Sequence, residues 1–215
     1  MTTTSLQEYY AARAPEYDRV YLKPERQDDL RAIERWLPTV FSGKSILEVA
    51  CGTGYWTQFL APAAKKIFAI DSSIETLHIA KARIAASHVA FAVGDAYDLP
   101  ESARGYEAGF AGFWFSHIPR ARVEGFLQGF HAALTPGAKV VLLDNRFVNG
   151  SNHAIAEQDG EGNTYQIRKL DDGSTHRVLK NFPSKLELQQ TVARIAKDVR
   201  FHEWPYFWAL EYVVA

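Results

Sequence analysis

Apolar and polar positions alternate in three successive rhythms along the chain. Residues 5–13 put Leu6, Tyr9 and Tyr10 on one side of a short amphipathic helix, which Pro15 breaks. A second helix is predicted from about Pro24 to Leu37. Leu30, Ile33 and Leu37 recur at helical spacing, and Pro38 is its stop. From Lys44 the period changes. Apolar runs at 45–49, 65–71, 88–93, 106–115 and 138–144 read as five strands. Helices with one apolar face lie between them. Ile74, Leu77 and Ile84 share such a face, after a cap at Ser72 or Ser73. Val123, Phe126, Leu127, Phe130 and Leu134 share another, in a helix from about Arg120 to Leu134, and Pro136-Gly137 turns the chain into the fifth strand.

The rhythm then breaks. Residues 146–163 hold Gly150, Gly160 and Gly162 among asparagines and read as a loop. Thr164–Leu170 and Ser174–Lys180 are β-rich and joined by Asp171-Asp172-Gly173, a strong hairpin signal. Ser184 and Glu187 form a capping box that opens a last helix with Leu188, Val192 and Ile195 inside. Val199–Trp204 and Tyr206–Val214 are two closing strands, antiparallel across Pro205. The whole predicts a single α/β domain over 1–215, a doubly wound, mostly parallel seven-stranded sheet with an antiparallel last strand. Residues 1–43 form an N-terminal helical cover or lid, 44–145 the nucleotide-binding core, 146–183 a loop and inserted β-hairpin, and 184–215 the C-terminal helix and strand pair.

Composition narrows the chemistry. The net charge of −1 leaves no electrostatic footprint for nucleic acid or an anionic membrane. No apolar run approaches membrane-spanning length, the first residues are polar, and the one cysteine, Cys51, permits no internal disulfide. A cytoplasmic protein, monomer or homodimer, is expected. Five Trp, ten Tyr and thirteen Phe are many, and point to a pocket for a flat or apolar ligand.

The chemistry concentrates in Ile46-Leu-Glu-Val-Ala-Cys-Gly-Thr-Gly-Tyr-Trp-Thr57. A strand feeding a glycine turn feeding a helix marks the nucleotide end of an α/β unit. Gly52 and Gly54 fit the first two glycines of a dinucleotide turn, but Thr57 stands at the third. The Gly-Lys-Ser/Thr of a phosphate-binding loop is absent. Glu48, two residues before Ala50, would repel a pyrophosphate and suits a ligand carrying a cation. Cys51 has no basic partner beside it and reads as a small packed residue.

This stretch resembles the first motif, acid-x-Gly-x-Gly-x-Gly, of the Rossmann-like class I S-adenosylmethionine-dependent methyltransferases, with Ala50 in place of the first glycine. The resemblance extends by element order from Tyr17 to Val214. It implies S-adenosylmethionine as cofactor. Gly52, Thr53 and Gly54 would lie along its amino-acid end and ribose, Asp71 would bind the ribose diol, and Ser72 would lie near the adenine. Asp95 and Ala96 would take the adenine edge. Tyr17, in Glu16-Tyr17-Asp18, would close over the methionine end, while Tyr9 and Tyr10 of the lid, with Trp114, would contact the acceptor. The segment Gly112-Phe-Trp-Phe-Ser-His-Ile-Pro119 lacks the tetrapeptide of nucleic-acid amino-methylating enzymes and is similar to that of small-molecule enzymes. There an aromatic residue, here Phe113 or Trp114, and a histidine, here His117, stand over the methyl donor.

His117 titrates near neutrality and is the candidate base, and Asp144, at the end of the fifth strand, would orient it. Asp144-Asn145 also resembles the ligand pair of the divalent-metal catechol-type enzymes, but their further aspartate is missing, so no metal is expected. Arg146 would hold an anionic group of the acceptor at the pocket mouth, and Tyr165 of the hairpin would wall that pocket. The expectation is methyl transfer by in-line displacement to an oxygen or nitrogen of a small molecule. A non-catalytic binder of the same cofactor and a nicotinamide oxidoreductase are the alternatives.

Overall fold

Why the chain builds one sheet covered on both sides is visible in its strands. A computed structural model describes residues 6–215, and side chains from Glu8 onward. The polar stretch 1–5 and the Leu6 side chain, both used in the prediction of the first helix, lie outside the described residues. The chain opens with α1 (Leu6–Arg13), 3-10 helix at Ala14–Tyr21 and Pro24–Arg26, and α2 (Gln27–Val40). Then follow β1 (Ser45–Val49), α3 (Tyr55–Leu60), β2 (Lys66–Asp71), α4 (Ile74–Arg83) and β3 (Val89–Val93). Next come β4 (Tyr106–Gly112), α5 (Val123–Ala132) and β5 (Leu134–Asn145). The remaining elements are β6 (Glu157–Gln158), β7 (Thr164–Lys169), β8 (Thr175–Leu179), α6 (Lys185–Val192), β9 (Ala196–Glu203) and β10 (Phe207–Val214).

Seven strands pair in the order β3-β2-β1-β4-β5-β10-β9. The first five are parallel, and β10 runs antiparallel to both β5 and β9. Neighbouring residues of a strand face opposite sides. Val140 and Leu142 of β5 join Phe126, Phe130, Leu188 and Val192 of α5 and α6 on one face. Val141 and Leu143 join Leu30, Ile33 and Leu37 of α2 and Leu60 of α3 on the other. Each of the three fully buried α2 side chains contributes about 1.5–3 kcal/mol by leaving water. The strand order reverses between β1 and β4, which opens a crevice at the carboxyl ends of the strands. No helix among the described residues is long and apolar enough to cross a membrane.

Several boundaries differ from the prediction: α5 and α6 are shorter, β9 begins at Ala196 so that Ile195 falls outside the last helix, and four further differences have a physical reason. Pro38 lies inside α2, which continues to Val40. A proline in the last turn loses one backbone bond, and the buried Leu37 and Phe41 on either side hold that turn against the sheet. The fourth strand stops at Gly112, because Phe113 takes a left-handed φ of 58° and swings the aromatic segment out of the sheet. The fifth strand begins at Leu134, upstream of Pro136-Gly137, and its pairing with β4 is irregular there. Residues 146–163 are not all loop. Glu157–Gln158 pair with β7, so the hairpin is the centre of a small antiparallel sheet, β6-β7-β8.

The face carrying α5 depends on a missing side chain. A Cβ at Gly109 in β4 would meet Phe130 at 2.7 Å and Leu134 at 2.9 Å. Gly109→Ala should therefore destabilise by about 1–3 kcal/mol through overpacking, read by chemical denaturation. Gly125 of α5 has open space around its Cβ position, so Gly125→Ala should stabilise by about 0.5–1 kcal/mol in the same assay.

Candidate active site

β1 is buried along its whole length and delivers a turn with three positive φ values, Ala50 (54°), Gly52 (55°) and Gly54 (73°). At Gly52 a Cβ would stand 3.3 Å from the Tyr17 hydroxyl, so only glycine lets that ring lie on the turn. At Gly54 it would press to 3.0 Å on Ala80 and Ile84, so glycine also lets α4 approach.

Asp71 ends β2 beside this turn. One carboxylate oxygen accepts the Gly52 N–H at 2.8 Å, the other the Ser73 N–H at 2.9 Å. Burial nonetheless raises its pKa. Asp95 ends the third strand segment and accepts the Tyr97 N–H at 2.9 Å. Ala50, Gly52, Asp71, Ser72, Asp95 and Ala96 line one crevice of about 660 Å³. Trp114 and Tyr165 line it too, and Tyr10, Tyr17, Phe113 and His117 close one side.

Other predicted cofactor residues stand beneath or beside the crevice. Thr53 gives its hydroxyl hydrogen to Asp18 at 2.6 Å and its carbonyl to Arg83 at 2.8 Å. Arg83 also pairs with Asp18, so these three clamp the N-terminal segment to the glycine turn. Glu48 is 1% exposed and does not line the crevice. Burial, helped by the Asp71 charge, pushes its pKa up to about 8, so its carboxyl is protonated at neutral pH. Cys51 is buried, and burial raises its thiol well above the usual range.

His117 sits in a 3-10 turn, Phe115–His117, directly after β4. Its Nδ1 is 2.7 Å from the Leu179 carbonyl of β8, and its Nε2 is 2.8 Å from the Tyr10 hydroxyl. A carbonyl only accepts, so Nδ1 carries the proton and Nε2 takes the hydroxyl's. Burial first, then the charges of Lys180 and Arg168, hold its pKa well below 6.5. The imidazole is therefore a neutral base with its lone pair at Nε2.

Asp144 is not the group that orients this imidazole through a direct bond. It is fully buried and accepts the Ser116 N–H at 2.9 Å, the Asn145 N–H at 2.8 Å and the Lys180 ammonium at 2.9 Å. Lys180 also donates to the Ser116 hydroxyl at 2.5 Å. The pair acts on His117 through the backbone of its turn. The Asn145 side-chain oxygen accepts from Arg26 at 2.9 Å, so Lys180 and Arg26 stand where a metal reading of Asp144-Asn145 would put a cation. Sequence reasoning gave no signal for Lys180, whose partner lies 36 residues away.

Beyond Tyr10, Tyr17, Phe113 and His117 lies a second cavity, of about 230 Å³. Those four residues line both spaces. Tyr9 lines the second cavity only, while Trp114 and Tyr165 line only the first. Arg146 lines neither. Its guanidinium is tied to Glu203 at 2.9 Å and to the Trp204 carbonyl at 2.9 Å, which draws it to the sheet's far edge.

These features define a class: a doubly wound sheet whose glycine turn, Asp71 and Asp95 line one crevice at the switch point. Residues 46–137 match the methyltransferase domain family. A solved complex titled DhpI-SAM-HEP is 29% identical, with a TM-score of 0.79, and the match covers 98% of this chain and 99% of that one. DhpI in complex with S-adenosylhomocysteine aligns equally well, at a TM-score of 0.79, 28% identity and 97% and 95% coverage. An uncharacterized methyltransferase of Anoxybacillus flavithermus is 29% identical over 56% of this chain and 57% of its own length. The demethylmenaquinone methyltransferase of Lactococcus lactis is 27% identical over 65% and 58%. The chain thus spans a little over half the length of these two curated relatives. The matched domain and the two complexes support a Rossmann-like S-adenosylmethionine-dependent methyltransferase.

The site fits that cofactor on its own observations. Gly52 keeps its stretch of the crevice wall free of a side chain, and Asp71 presents a carboxylate to the same crevice. Two outcomes test the electrostatics. The native state keeps a proton on Glu48 that the unfolded chain loses above 4.5, so stability falls as pH rises from 4.5 to about 8. Glu48→Gln should flatten that fall in thermal melts while S-adenosylhomocysteine affinity stays within about twofold. Lys180→Met leaves a buried carboxylate unpaired and should cost about 3–5 kcal/mol by denaturant titration, most of it recovered in Lys180→Met/Asp144→Asn.

Proposed function

We propose that the chain transfers a methyl group to an oxygen or nitrogen of a small-molecule acceptor held in the smaller cavity. The observation that carries this reading is the shared wall: Tyr10, Tyr17, Phe113 and His117 border both the cofactor crevice and the second space. A wall common to two cavities is where groups held in each can meet.

When bound, S-adenosylmethionine supplies a methyl on a sulfonium, a good leaving group that needs alignment more than activation. Asp71 would hold the ribose hydroxyls and Asp95 with Ala96 the adenine edge. The rings of Tyr10, Tyr17 and Phe113 exclude water from the junction and present faces that favour a cation. Phe113 is 8% exposed, and its left-handed backbone aims it there.

His117 removes the acceptor's proton at Nε2. The Leu179 carbonyl fixes the tautomer that leaves this nitrogen free to accept. The Tyr10 hydroxyl now donates to it, and an acceptor hydroxyl or amine would take that place. Held neutral by burial and by neighbouring cations, the imidazole is a ready but weak base, so positioning carries most of the rate.

Single-turnover release of S-adenosylhomocysteine across an acceptor panel tests the reading. A protein that binds the cofactor yet turns over no acceptor overturns it. Asp71→Ala should weaken cofactor binding at least about tenfold, through lost hydrogen bonds to the diol and a loosened Gly52 turn. The rate should stay constant as pH falls to 6.5 and drop only below it, where His117 gains its proton. His117→Ala should abolish that acid limb and lower the rate about 10²-fold or more.

A further inference from the structure

We infer that the smaller cavity binds a small organic oxyanion, carboxylate or phosphoryl, and that this group anchors the methyl acceptor. The inference names the substrate class of the site just proposed and rests on that reading.

Seven cationic side chains line this cavity against one carboxylate, Glu16. Glu16 is already engaged, by Arg19 and by the Asp171 N–H. Of the seven, Lys169 is exposed at the rim, and two have counter-charges, Arg19 in Asp171 and Lys180 in Asp144. Arg13, Lys23, Arg26 and Arg168 form no ion pair with a carboxylate among the described residues. Their hydrogen-bond partners are neutral; Glu25 acts on Lys23 and Arg26, and Asp29 on Arg26, only through space. Arg26, 2% exposed, donates to the Ser151 hydroxyl and carbonyl and to Asn145. Arg168 donates to Gln166 and to the Tyr9 hydroxyl. Lys23 donates to the Ser151 carbonyl. Arg13 lies over the rings of Tyr9, Tyr10 and Tyr17, 5.1–6.0 Å from their centres.

Arg26 is buried and Arg13, Lys23 and Arg168 are half-buried, and proteins seldom gather several such cations without a directly paired carboxylate unless something anionic joins them. These four come from two separate parts of the chain, the N-terminal helices and the hairpin, and converge on one small space. His153, from the loop after β5, feels them together. After burial, the charges of Arg168, Lys23, Arg13 and Arg26 are what lower its pKa. The guanidinium groups are partly held by neutral acceptors, so their forks are already oriented for an oxyanion.

The dimensions agree. At about 230 Å³ the cavity is roughly a third of the 660 Å³ crevice beside it. An acid anchored on these cations would turn its other end toward His117 and the shared wall. Its charge would also offset the cationic field that makes His117 a weak base, so the acceptor itself would strengthen that base. An uncharged quinol would leave these cations without an anionic partner.

The test uses the full chain saturated with S-adenosylhomocysteine. Inorganic phosphate and malonate are titrated separately at constant ionic strength set by potassium chloride, with thermal shift and calorimetry as readouts. Saturable stabilisation by phosphate identifies a phosphoryl group, and by malonate a carboxylate. Lys23→Gln and Arg168→Gln should each weaken that binding at least about tenfold while leaving S-adenosylhomocysteine affinity unchanged. Arg168→Lys should recover only part of it, since an ammonium lacks the fork. The proposal is overturned if neither anion exceeds the chloride control, if the variants bind as the parent does, or if uncharged menadione stabilises instead. Failure of S-adenosylhomocysteine to bind at all overturns the earlier reading, and is a separate result.

Discussion

The Lys180 ammonium and the Asp144 carboxylate meet out of water where three parts of the chain converge. Asp144 is the end of the central sheet, Lys180 follows the last strand of the small sheet, and Ser116 belongs to the turn that bears His117. The carboxylate binds the Ser116 N–H and the ammonium binds its hydroxyl. Placing the small sheet therefore also places the turn. Leu179, one residue before Lys180, supplies the carbonyl that fixes the His117 tautomer. A pair like this adds little net stability over an apolar substitute, but it penalises every arrangement that separates its members. Here that penalty specifies geometry, because the His117 turn, the tautomer of its imidazole and the hairpin that walls both cavities are set by one contact.

A second set of contacts fastens the N-terminal segment over the site from two sides. Asp18 reaches Thr53 and Arg83 at the glycine turn. Glu16 and Arg19 reach Asp171 at the hairpin tip. Tyr17, between them, lies on Gly52. Three consecutive residues, Glu16-Tyr17-Asp18, thus connect the hairpin, the shared wall and the cofactor floor. Several of these ion pairs are exposed and individually weak. A cover held by weak peripheral contacts around a buried aromatic centre can lift without disturbing the sheet.

The sheet was legible because its physics is local. Strands buried on both faces must be apolar throughout, and the helices between them must carry one apolar face, so order and type followed from residue spacing. Boundaries slipped where tertiary contacts overrode local rules, as at Pro38 between buried Leu37 and Phe41. The glycine turn, Asp71 and Asp95 were legible because they fall at fixed places after strands, and all but Thr53, Gly54 and Glu48 of that motif set meet in the crevice. The cationic cavity was not legible. Net charge counts residues and is blind to their placement, and a chain at −1 still concentrates seven cations around one space. Arg146 was the arginine that strand order pointed to, yet Glu203 takes it. Arg13, Lys23 and Arg26 look like ordinary surface residues until the chain is folded.

The cavity beside His117 also has a history within each molecule's own folding. Tyr10 and His117 are 107 residues apart, Lys23 and Ser151 are 128, and Arg19 and Asp171 are 152. The glycine turn and Asp71 are 19 apart. Loops this long close late, after local contacts have formed. The cofactor floor can thus assemble from neighbouring strands while the chain's first residues still wait for its last third. Synthesis from the N-terminus makes Tyr9, Tyr10 and Arg13 first and uses them last. Arg168 reaches the N-terminal cations only through the hairpin, so the pocket's full mutual repulsion arises only when that long-range contact is made.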